Sequence, residues 1–156
     1  MTRHNAFQKL LPLVAGLVAA AVLSFGVAPA FAQGNVQAVA MYRLYHPYTG
    51  EHLYTSSASE LSSLDRAGWR YEGIGWYAPL ESSAPVYRLY NPYSGDHHYT
   101  TSLDEYNSLV SLGWSGEGVG WYSDDAQGVP LYRQFNPYEK IGTHNYTTSS
   151  AENDYL

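Results

Sequence analysis

The sequence contains no cysteine and few charged residues. Without cysteine the chain forms no disulfides and offers neither a thiolate nucleophile nor a cysteine ligand for a metal ion. Lysine and arginine together number only 8 against 14 aspartates and glutamates, so the net charge is −6 at pH 7. Nucleic acids and anionic membranes select cationic surfaces, so we expect neither as a partner. The chain is instead rich in tyrosine, with 16 residues, which argues against disorder.

The first 32 residues have the pattern of a secretory signal peptide. Arg3 and Lys9 precede an almost wholly apolar stretch over residues 10–27, and an Ala-x-Ala sequence ends at Ala32. This order predicts export, with cleavage after Ala32. A membrane anchor is the alternative, because the apolar stretch approaches the span of a bilayer.

Removal of residues 1–32 would leave a strongly acidic extracellular chain. Six basic residues would then face fourteen acidic ones, for a net charge of −8. Residues 33–40 are expected to form a short N-terminal linker, and no membrane contact is expected after signal cleavage.

The rest of the chain repeats itself at intervals of about 45 residues. Tyr42, Tyr87 and Tyr132 are 45 residues apart, and each begins a Tyr-Arg motif that runs into a His/Asn-Pro-Tyr sequence. A His-x-Tyr-Thr motif follows each time. We therefore divide the repeat domain, residues 41–156, into unit 1 (41–85), unit 2 (86–130) and unit 3 (131–156).

Each unit carries signals for two strands, a short helix and a third strand. The aromatic-rich Tyr-Arg and His-x-Tyr-Thr motifs suit strands, and a turn containing proline separates them. Ser57, Ser102 and Ser149 each precede a glutamate by three residues, which is a capping box at a helix start. Gly-Trp segments at residues 69–77 and 114–122 predict the third strand in units 1 and 2.

These elements predict a mainly β fold with short helices, in which three units close around a pseudo-threefold axis. A β-trefoil-like closed assembly is the nearest named architecture. Unit 3 is incomplete, because counterparts of residues 110–123 do not follow Leu156. We expect a truncated or fragmentary unit with an unpaired strand edge, and self-association through that edge is a further expectation.

The repeated motifs resemble a family of secreted threefold repeat domains of unknown function. The matching patterns are Tyr-Arg-Leu-Tyr-Asn-Pro, Gly-Asp-His-x-Tyr-Thr-Thr-Ser and Gly-Trp-x-x-Glu-Gly-x-x-Trp-Tyr, and they cover residues 41–156. The resemblance implies a bacterial extracellular accessory module, found beside cell-wall hydrolases and other extracellular enzymes. It supplies no catalytic residues.

The equivalent histidines offer one route to chemistry. His52, His97 and His144 could converge on the pseudo-threefold axis and bind Zn²⁺, which would make the protein a metal-assisted extracellular hydrolase. The alternative is that each histidine hydrogen-bonds within its own hairpin and packs on a neighbouring tyrosine. Carboxylate pairs of glycosidase type are possible at Glu51 with Asp96, or at Glu72 with Glu117, but unit 3 keeps neither. We therefore predict no enzyme activity, no metal site and no cofactor.

Aromatic and polar residues at the turns predict glycan binding. Residues at the tips of turns on a rigid scaffold are where binding groups concentrate, and sugars stack on aromatic rings. The predicted function is a secreted, non-catalytic module that binds a cell-wall or extracellular polysaccharide. A hydrolase and a structural or protein-interaction module are the alternatives. The candidate ligand-binding residues are Tyr48, Glu51, His52, Tyr93, Asp96 and His97.

Overall fold

The computed structural model describes residues 37–138 and 143–156. The predicted signal peptide lies outside the described residues, and strand β1 already begins at Ala38, inside the predicted linker. The elements in chain order are β1 (Ala38–Tyr45), β2 (His52–Thr55), α1 (Ala58–Arg66), β3 (Arg70–Pro79), β4 (Ala84–Tyr90), β5 (His97–Thr100), α2 (Leu103–Ser111), β6 (Ser115–Ser123), β7 (Tyr132–Asn136), β8 (Thr143–Thr147) and α3 (Ser150–Tyr155).

The fold is mainly β with short helices, as the sequence predicts. Strand, strand, helix and strand follow one another in units 1 and 2, and unit 3 shows the same order as far as its helix. The helices of the described part are too short and too polar for any of them to cross a bilayer.

The sheets are small, antiparallel and separate. Unit 1 has the strand order β2-β1-β3, unit 2 has β5-β4-β6, and unit 3 pairs β7 with β8. Every strand pairing among the described residues lies within one unit, so these sheets do not join into a barrel. The predicted β-trefoil-like closure is therefore not confirmed, because side chains rather than strand ladders connect the units.

The helices begin where the capping boxes predict. Ser57, Ser102 and Ser149 each accept a hydrogen bond from the backbone N–H three residues later, at 3.1 to 3.2 Å. Such caps satisfy an N–H group that the first helical turn leaves unpaired. The side chain of the glutamate three residues after each serine lies next to an arginine of another unit.

Three tyrosines from β2, β5 and β8 meet at the centre of the core. The rings of Tyr54, Tyr99 and Tyr146 contact one another edge to face, with centroids 5.2 to 5.9 Å apart. Each is at most 4% exposed. The third-strand tryptophans of units 1 and 2, Trp76 and Trp121, pack against this tyrosine cluster.

The tyrosine hydroxyls hydrogen-bond in a cycle from unit to unit. The Tyr99 hydroxyl donates to the Tyr54 carbonyl at 3.0 Å and accepts from the Tyr54 N–H at 2.9 Å. Tyr146 makes the same pair of bonds to the backbone of Tyr99. The Tyr54 hydroxyl completes the cycle by accepting from the Tyr146 N–H and donating to Asn145. The three units thus share one core, because each tyrosine satisfies the backbone of another unit.

Candidate functional site

Ion pairs follow the same cycle around the outside of the tyrosine core. The motif arginine of each unit lies next to the capping-box glutamate of another unit. The distances are 2.9 Å for Arg88 with Glu60, 3.6 Å for Arg133 with Glu105 and 2.7 Å for Arg43 with Glu152. The capping-box glutamates therefore serve two purposes, since their backbone starts a helix and their side chain joins two units.

The glutamates in this cycle are held ionised. Burial raises the pKa of Glu60, but hydrogen bonds from Arg88 and Thr55 outweigh it, so this pKa lies below its ordinary value. The pKa of Glu152 is lowered in the same way, with Thr147 and Arg43 as the main donors opposing burial. The carboxylates are committed to these contacts and are poor candidates for proton transfer.

The three equivalent histidines lie at three different places. His97 Nδ1 is 2.6 Å from a carboxylate oxygen of Glu51, and His144 Nδ1 is 3.5 Å from Asp96. Each of these histidines therefore faces the acidic residue of the preceding unit. In the part of the chain that the structure describes, no group of three or more histidines and carboxylates could hold a metal ion.

The third of these contacts differs, because unit 3 has Thr143 where the other units have an acid. His52 lies instead between Arg43, 3.2 Å away, and Glu72, 3.3 Å away. Burial, followed by the positive charge of Arg43, lowers the pKa of His52. A neutral imidazole at this position is able both to donate and to accept a hydrogen bond.

A cleft of about 470 Å³ opens at this contact between units 3 and 1. Thr143 lies in the lining of this cleft, at the position where units 1 and 2 have Glu51 and Asp96. Aromatic groups on its walls come from Tyr45, Phe135 and Tyr138. Its polar side chains include those of His52, Gln134, Asn136, Thr143 and Asn145. Gln134 and Asn145 hydrogen-bond to each other at 3.0 Å, which orients both amides.

The turn between the first two strands of each unit presents a tyrosine to solvent. Tyr48, Tyr93 and Tyr138 are 90%, 86% and 94% exposed. We call these three residues the tip tyrosines. They are among the most exposed large side chains of the described residues.

The turns that carry the tip tyrosines are pinned by hydrogen bonds. Asn91 Oδ1 accepts from the backbone N–H of Tyr93 at 2.9 Å, and Asn136 does the same for Tyr138 at 3.0 Å. In unit 1, His46 Nδ1 takes this place by accepting from the N–H of Thr49 at 3.2 Å. The turn closes through Gly50, whose φ of 75° is a conformation that favours glycine.

The structure separates the predicted ligand-binding residues into two groups. Tyr48 and Tyr93 stand at the surface, where the prediction places them. Glu51 and Asp96 are only 3% and 2% exposed, so they lie inside the protein rather than on the turn surface. Their carboxylates face histidines because the chain folds the acid of one unit against the next unit.

The histidines and the remaining carboxylates are also mostly occupied. His97 is in contact with Glu51, whereas His52 lines the cleft. Glu72 and Glu117 pair with arginines of their own units, at 3.0 and 2.6 Å. The carboxylates considered for a glycosidase pair therefore have charged or imidazole partners already.

Sequence reasoning missed Tyr138 and the polar side chains of the cleft. Tyr138 occupies the position in unit 3 that Tyr48 and Tyr93 occupy in the other units, and the repeated His/Asn-Pro-Tyr motif contains it, but only units 1 and 2 were considered for binding. Gln134 and Asn145 carried no comparable signal. They replace Leu44 and Leu53 of unit 1. Only the structure shows that Gln134 on β7 and Asn145 on β8 lie opposite each other on paired strands.

Comparison with known proteins identifies a domain family. Neither a search of curated proteins nor a search of solved structures found a match. A family model described as "Domain of unknown function (DUF5648)" matches residues 40–156, which include all three units. Because this match extends over most of the chain, the protein belongs to the DUF5648 family of domains.

Proposed function

We propose that the protein is a secreted, non-catalytic module that binds an extracellular or cell-wall polysaccharide through its tip tyrosines. The observation that carries the proposal is the recurrence of an almost fully exposed tyrosine at the equivalent position of every unit. An aromatic ring in water gains free energy when an apolar surface covers it. The C–H face of a sugar ring is such a surface, and its hydroxyls remain free to contact neighbouring polar groups.

The rigidity of the turns supports a binding role. When a ligand orders a loose loop, the lost conformational entropy reduces the binding free energy. A turn that hydrogen bonds already fix loses little entropy on binding. The ring of Tyr93 also lies close to Gly113, just after the end of α2. A Cβ atom at this glycine would stand 3.4 Å from the ring. One edge of the Tyr93 ring therefore lies near the protein, and the rest of the side chain is open to solvent.

The cleft between units 3 and 1 offers a second kind of sugar contact. Its volume of about 470 Å³ falls within the range of roughly 300–1,000 Å³ that is usual for small-molecule sites. Tyr138 is both a tip tyrosine and part of the cleft wall. A polymer seated on this tip would have one sugar residue within reach of His52, Gln134 and Asn145.

A repeating ligand suits a protein with repeating sites. Each tip alone would bind one or two sugar rings weakly. Two tips engaged on the same polymer raise the effective concentration of the second contact, and the combined affinity can exceed either by roughly 10²–10⁴. A soluble oligosaccharide too short to reach two tips should therefore bind much more weakly than the polymer.

Retention on insoluble polysaccharides tests the proposal. The purified protein would be incubated with peptidoglycan, chitin and cellulose and applied to a glycan array. We expect retention on at least one polymer and a loss of at least tenfold in the triple variant Tyr48→Ala, Tyr93→Ala and Tyr138→Ala. Tyr155→Ala is the matched control, since Tyr155 is 88% exposed but lies on α3.

Two results would contradict the proposal. One is the absence of retention on every polymer, and the other is retention by the triple variant equal to that of the control. Thr143→Glu separates the cleft from the tips, because a glutamate there restores the acid present in units 1 and 2 and places a longer, charged side chain in the lining of the cleft. It should weaken binding at Tyr138 while leaving Tyr48 and Tyr93 functional.

The export part of the proposal has its own test. We expect the protein in the culture medium of the expressing cell, with Gln33 as its first residue. Mass spectrometry of the secreted protein reads this terminus directly, and a membrane-bound protein that keeps residues 1–32 would contradict the proposed cleavage.

A further inference from the structure

The contact between units 1 and 2 shows how this fold holds a carboxylate. One oxygen of Glu51 accepts a hydrogen bond from the backbone N–H of His97 at 3.1 Å and lies 2.6 Å from Nδ1 of the same residue. Glu51 is only 3% exposed. The histidine at the start of β5 therefore offers two donors, one from the backbone and one from the ring, to a single carboxylate oxygen.

The contact between units 2 and 3 repeats this pairing of acid and ring. His144 Nδ1 lies 3.5 Å from a carboxylate oxygen of Asp96, which is 2% exposed. At both contacts the acid belongs to the unit that precedes the histidine. The position opposite Nδ1 is thus that of a buried carboxylate wherever the sequence supplies one.

The contact between units 3 and 1 keeps the histidine but not the acid. Thr143, at the start of β8, stands where the other two units have an acid, and both Thr143 and His52 line the cleft. Among the described residues, the carboxylate that pairs with His52 belongs to Glu72, and it lies 3.3 Å from Nε2. It does not take the place at Nδ1 that Glu51 takes at His97.

The strand register directs the backbone N–H of His52 in the same way as that of His97. Tyr45 pairs with His52 across β1 and β2, just as Tyr90 pairs with His97 across β4 and β5. In an antiparallel pair, residues alternate between those that bond across the ladder and those that point away from it. Since this register leaves the His97 N–H free to bond Glu51, the His52 N–H also points away from its partner strand.

The ring of His52 is arranged to donate from Nδ1. Arg43 Nη2 lies 3.2 Å from Nε2, and a guanidinium can only donate, so Nε2 accepts and the proton of the neutral ring is on Nδ1. Glu72, which also lies near Nε2, already accepts from Arg43 at 3.0 Å. Burial, followed by the charge of Arg43, lowers the pKa of His52, which favours this neutral form.

The charges at the two contacts differ by one. At the contact between units 1 and 2 and at the contact between units 3 and 1, the motif arginine pairs with two glutamates at 2.6 to 3.0 Å. Glu51 adds a further negative charge at the first of these contacts, whereas Thr143 adds none at the other. A ligand carboxylate beside His52 would therefore reproduce an arrangement that the protein already contains.

We propose that the cleft between units 3 and 1 binds the carboxylate of an acidic sugar, a uronic acid unit of the polysaccharide, through Nδ1 and the backbone N–H of His52. This inference rests on the proposed glycan binding and names the class of sugar that the cleft takes. The carboxylate occupies the position at His52 that Glu51 occupies at His97. Tyr138 and Asn145 on the same walls suit the face of the sugar ring and its hydroxyls.

Digalacturonic acid is the probe, and isothermal titration calorimetry with the purified protein should show saturable binding. We expect binding roughly tenfold weaker or more for its dimethyl ester and for the protein variant Thr143→Glu, the size expected for loss of a hydrogen bond to a charged group. Thr143→Ser is the matched control and should bind like the wild type. The double variant Tyr48→Ala and Tyr93→Ala should also bind like the wild type, because neither tip tyrosine lines the cleft.

The pH dependence of binding distinguishes this contact from stacking on tyrosine. A carboxylate at Nδ1 favours the protonated ring, so binding takes up a proton and the affinity should rise as the pH falls from about 7.5 to about 6. The charged groups that act on His52 are Arg43 on β1, Glu72 on β3 and Glu152 on α3, and they pair with one another. His52→Gln should weaken binding and remove its pH dependence, whereas an unchanged pH dependence in this variant would contradict the assignment to His52.

Three outcomes would overturn the proposal. The first is the absence of saturable binding of digalacturonic acid, and the second is equal binding of its dimethyl ester. The third is equal binding of the dipeptide alanyl-alanine, which would assign the site to the carboxylate of a peptide. If polysaccharide retention still depends on the tip tyrosines, any of these results rejects the acidic-sugar site and leaves the proposed glycan binding intact.

Discussion

The contact between units 1 and 2 and the contact between units 2 and 3 join residues at equivalent positions, but the atoms lie at different distances. At the first contact, His97 lies 2.6 Å from Glu51, and Arg88 lies 2.9 Å from Glu60. At the second, the equivalent pairs are 3.5 and 3.6 Å apart. The Asp96–His144 pair also leaves one buried oxygen and one buried nitrogen without a hydrogen-bond partner among the described residues.

Two local differences account for the looser contact. Asp96 is one methylene shorter than Glu51, so its carboxylate stops short of the histidine. Arg88 is held from both sides by Glu60 and Glu117, whereas Arg133 has no described glutamate on its own-unit side. The repeated motif therefore determines which residues meet at a contact. The distance between them depends on the length of the acidic side chain and on whether a third-strand glutamate also binds the arginine.

The largest expected effect is at the tyrosine core, where the two contacts do not differ. Tyr99→Ala should lower the free energy of unfolding by about 3–5 kcal/mol, because it empties a buried aromatic site. Tyr99→Phe and Tyr146→Phe keep the ring and should each cost about 1–3 kcal/mol, since each orphans a backbone N–H and C=O. Urea unfolding followed by tryptophan fluorescence measures all three, and a large difference between the two phenylalanine variants would contradict this equivalence.

Removing the arginine should cost more stability at the contact between units 1 and 2 than at the contact between units 2 and 3. Arg88→Ala removes two charged hydrogen bonds at a mostly buried position and should cost about 1–2 kcal/mol. Arg133→Ala removes one long, half-exposed contact and should cost about 0.5 kcal/mol or less. The urea midpoints of the two variants provide the measurement. Equal costs would mean that the third-strand glutamate adds nothing at Arg88.

Exchanging the acids Asp96 and Glu51 should give each contact the distance and stability of the other. Asp96→Glu is expected to reach His144 and stabilise the fold by about 0.5–1 kcal/mol, since it satisfies a buried oxygen. Glu51→Asp should cost about 1 kcal/mol by lengthening the bond to His97. Differential scanning calorimetry compares the pair, and destabilisation by both substitutions would indicate that packing at each contact tolerates only its own acid.

The smallest expected effect is on pH dependence. Burial, followed by the neighbouring His144, lowers the pKa of His98, and the pKa of His52 is also lowered. The unfolded chain then binds protons that the folded chain does not, so stability falls as the pH drops through the ordinary value of 6.5. Loss of the depressed carboxylates Glu60 and Glu152 continues the decline below 4.5. We expect a lower melting temperature at pH 5.5 than at pH 7.5, and a smaller difference in His98→Asn.

The sequence predicted those features of the fold that depend on residues close together in the chain. Ser57 and Glu60 are three apart, so a helix start could be inferred without tertiary information. The separate sheets and the pairing of Glu51 with His97 could not, because they depend on which face of one unit meets the next. The cleft was equally hidden, since its lining brings His52 together with Thr143, 91 positions later in the chain.

The candidate ligand-binding residues show the same contrast between features within one unit and contacts between units. Tyr48 could be placed at the surface because a proline-containing turn puts its third residue at the tip. The next charged residue, Glu51, looked equally exposed in the sequence, yet it is buried because a neighbouring unit covers it. Patterns within one unit thus located the aromatic tips, while contacts between units removed the carboxylates from the surface.

The cycle of tyrosine hydroxyls also bears on how the protein folds. The Tyr54 hydroxyl finds its partner at Asn145, 91 residues further along the chain. Contacts between residues so distant in sequence form slowly, because a long loop must close before they contribute. Units 1 and 2 can assemble early, but the core is completed only after β8 has been synthesised. A nascent chain released before Asn145 would leave the Tyr54 hydroxyl and the Tyr99 backbone without their partners.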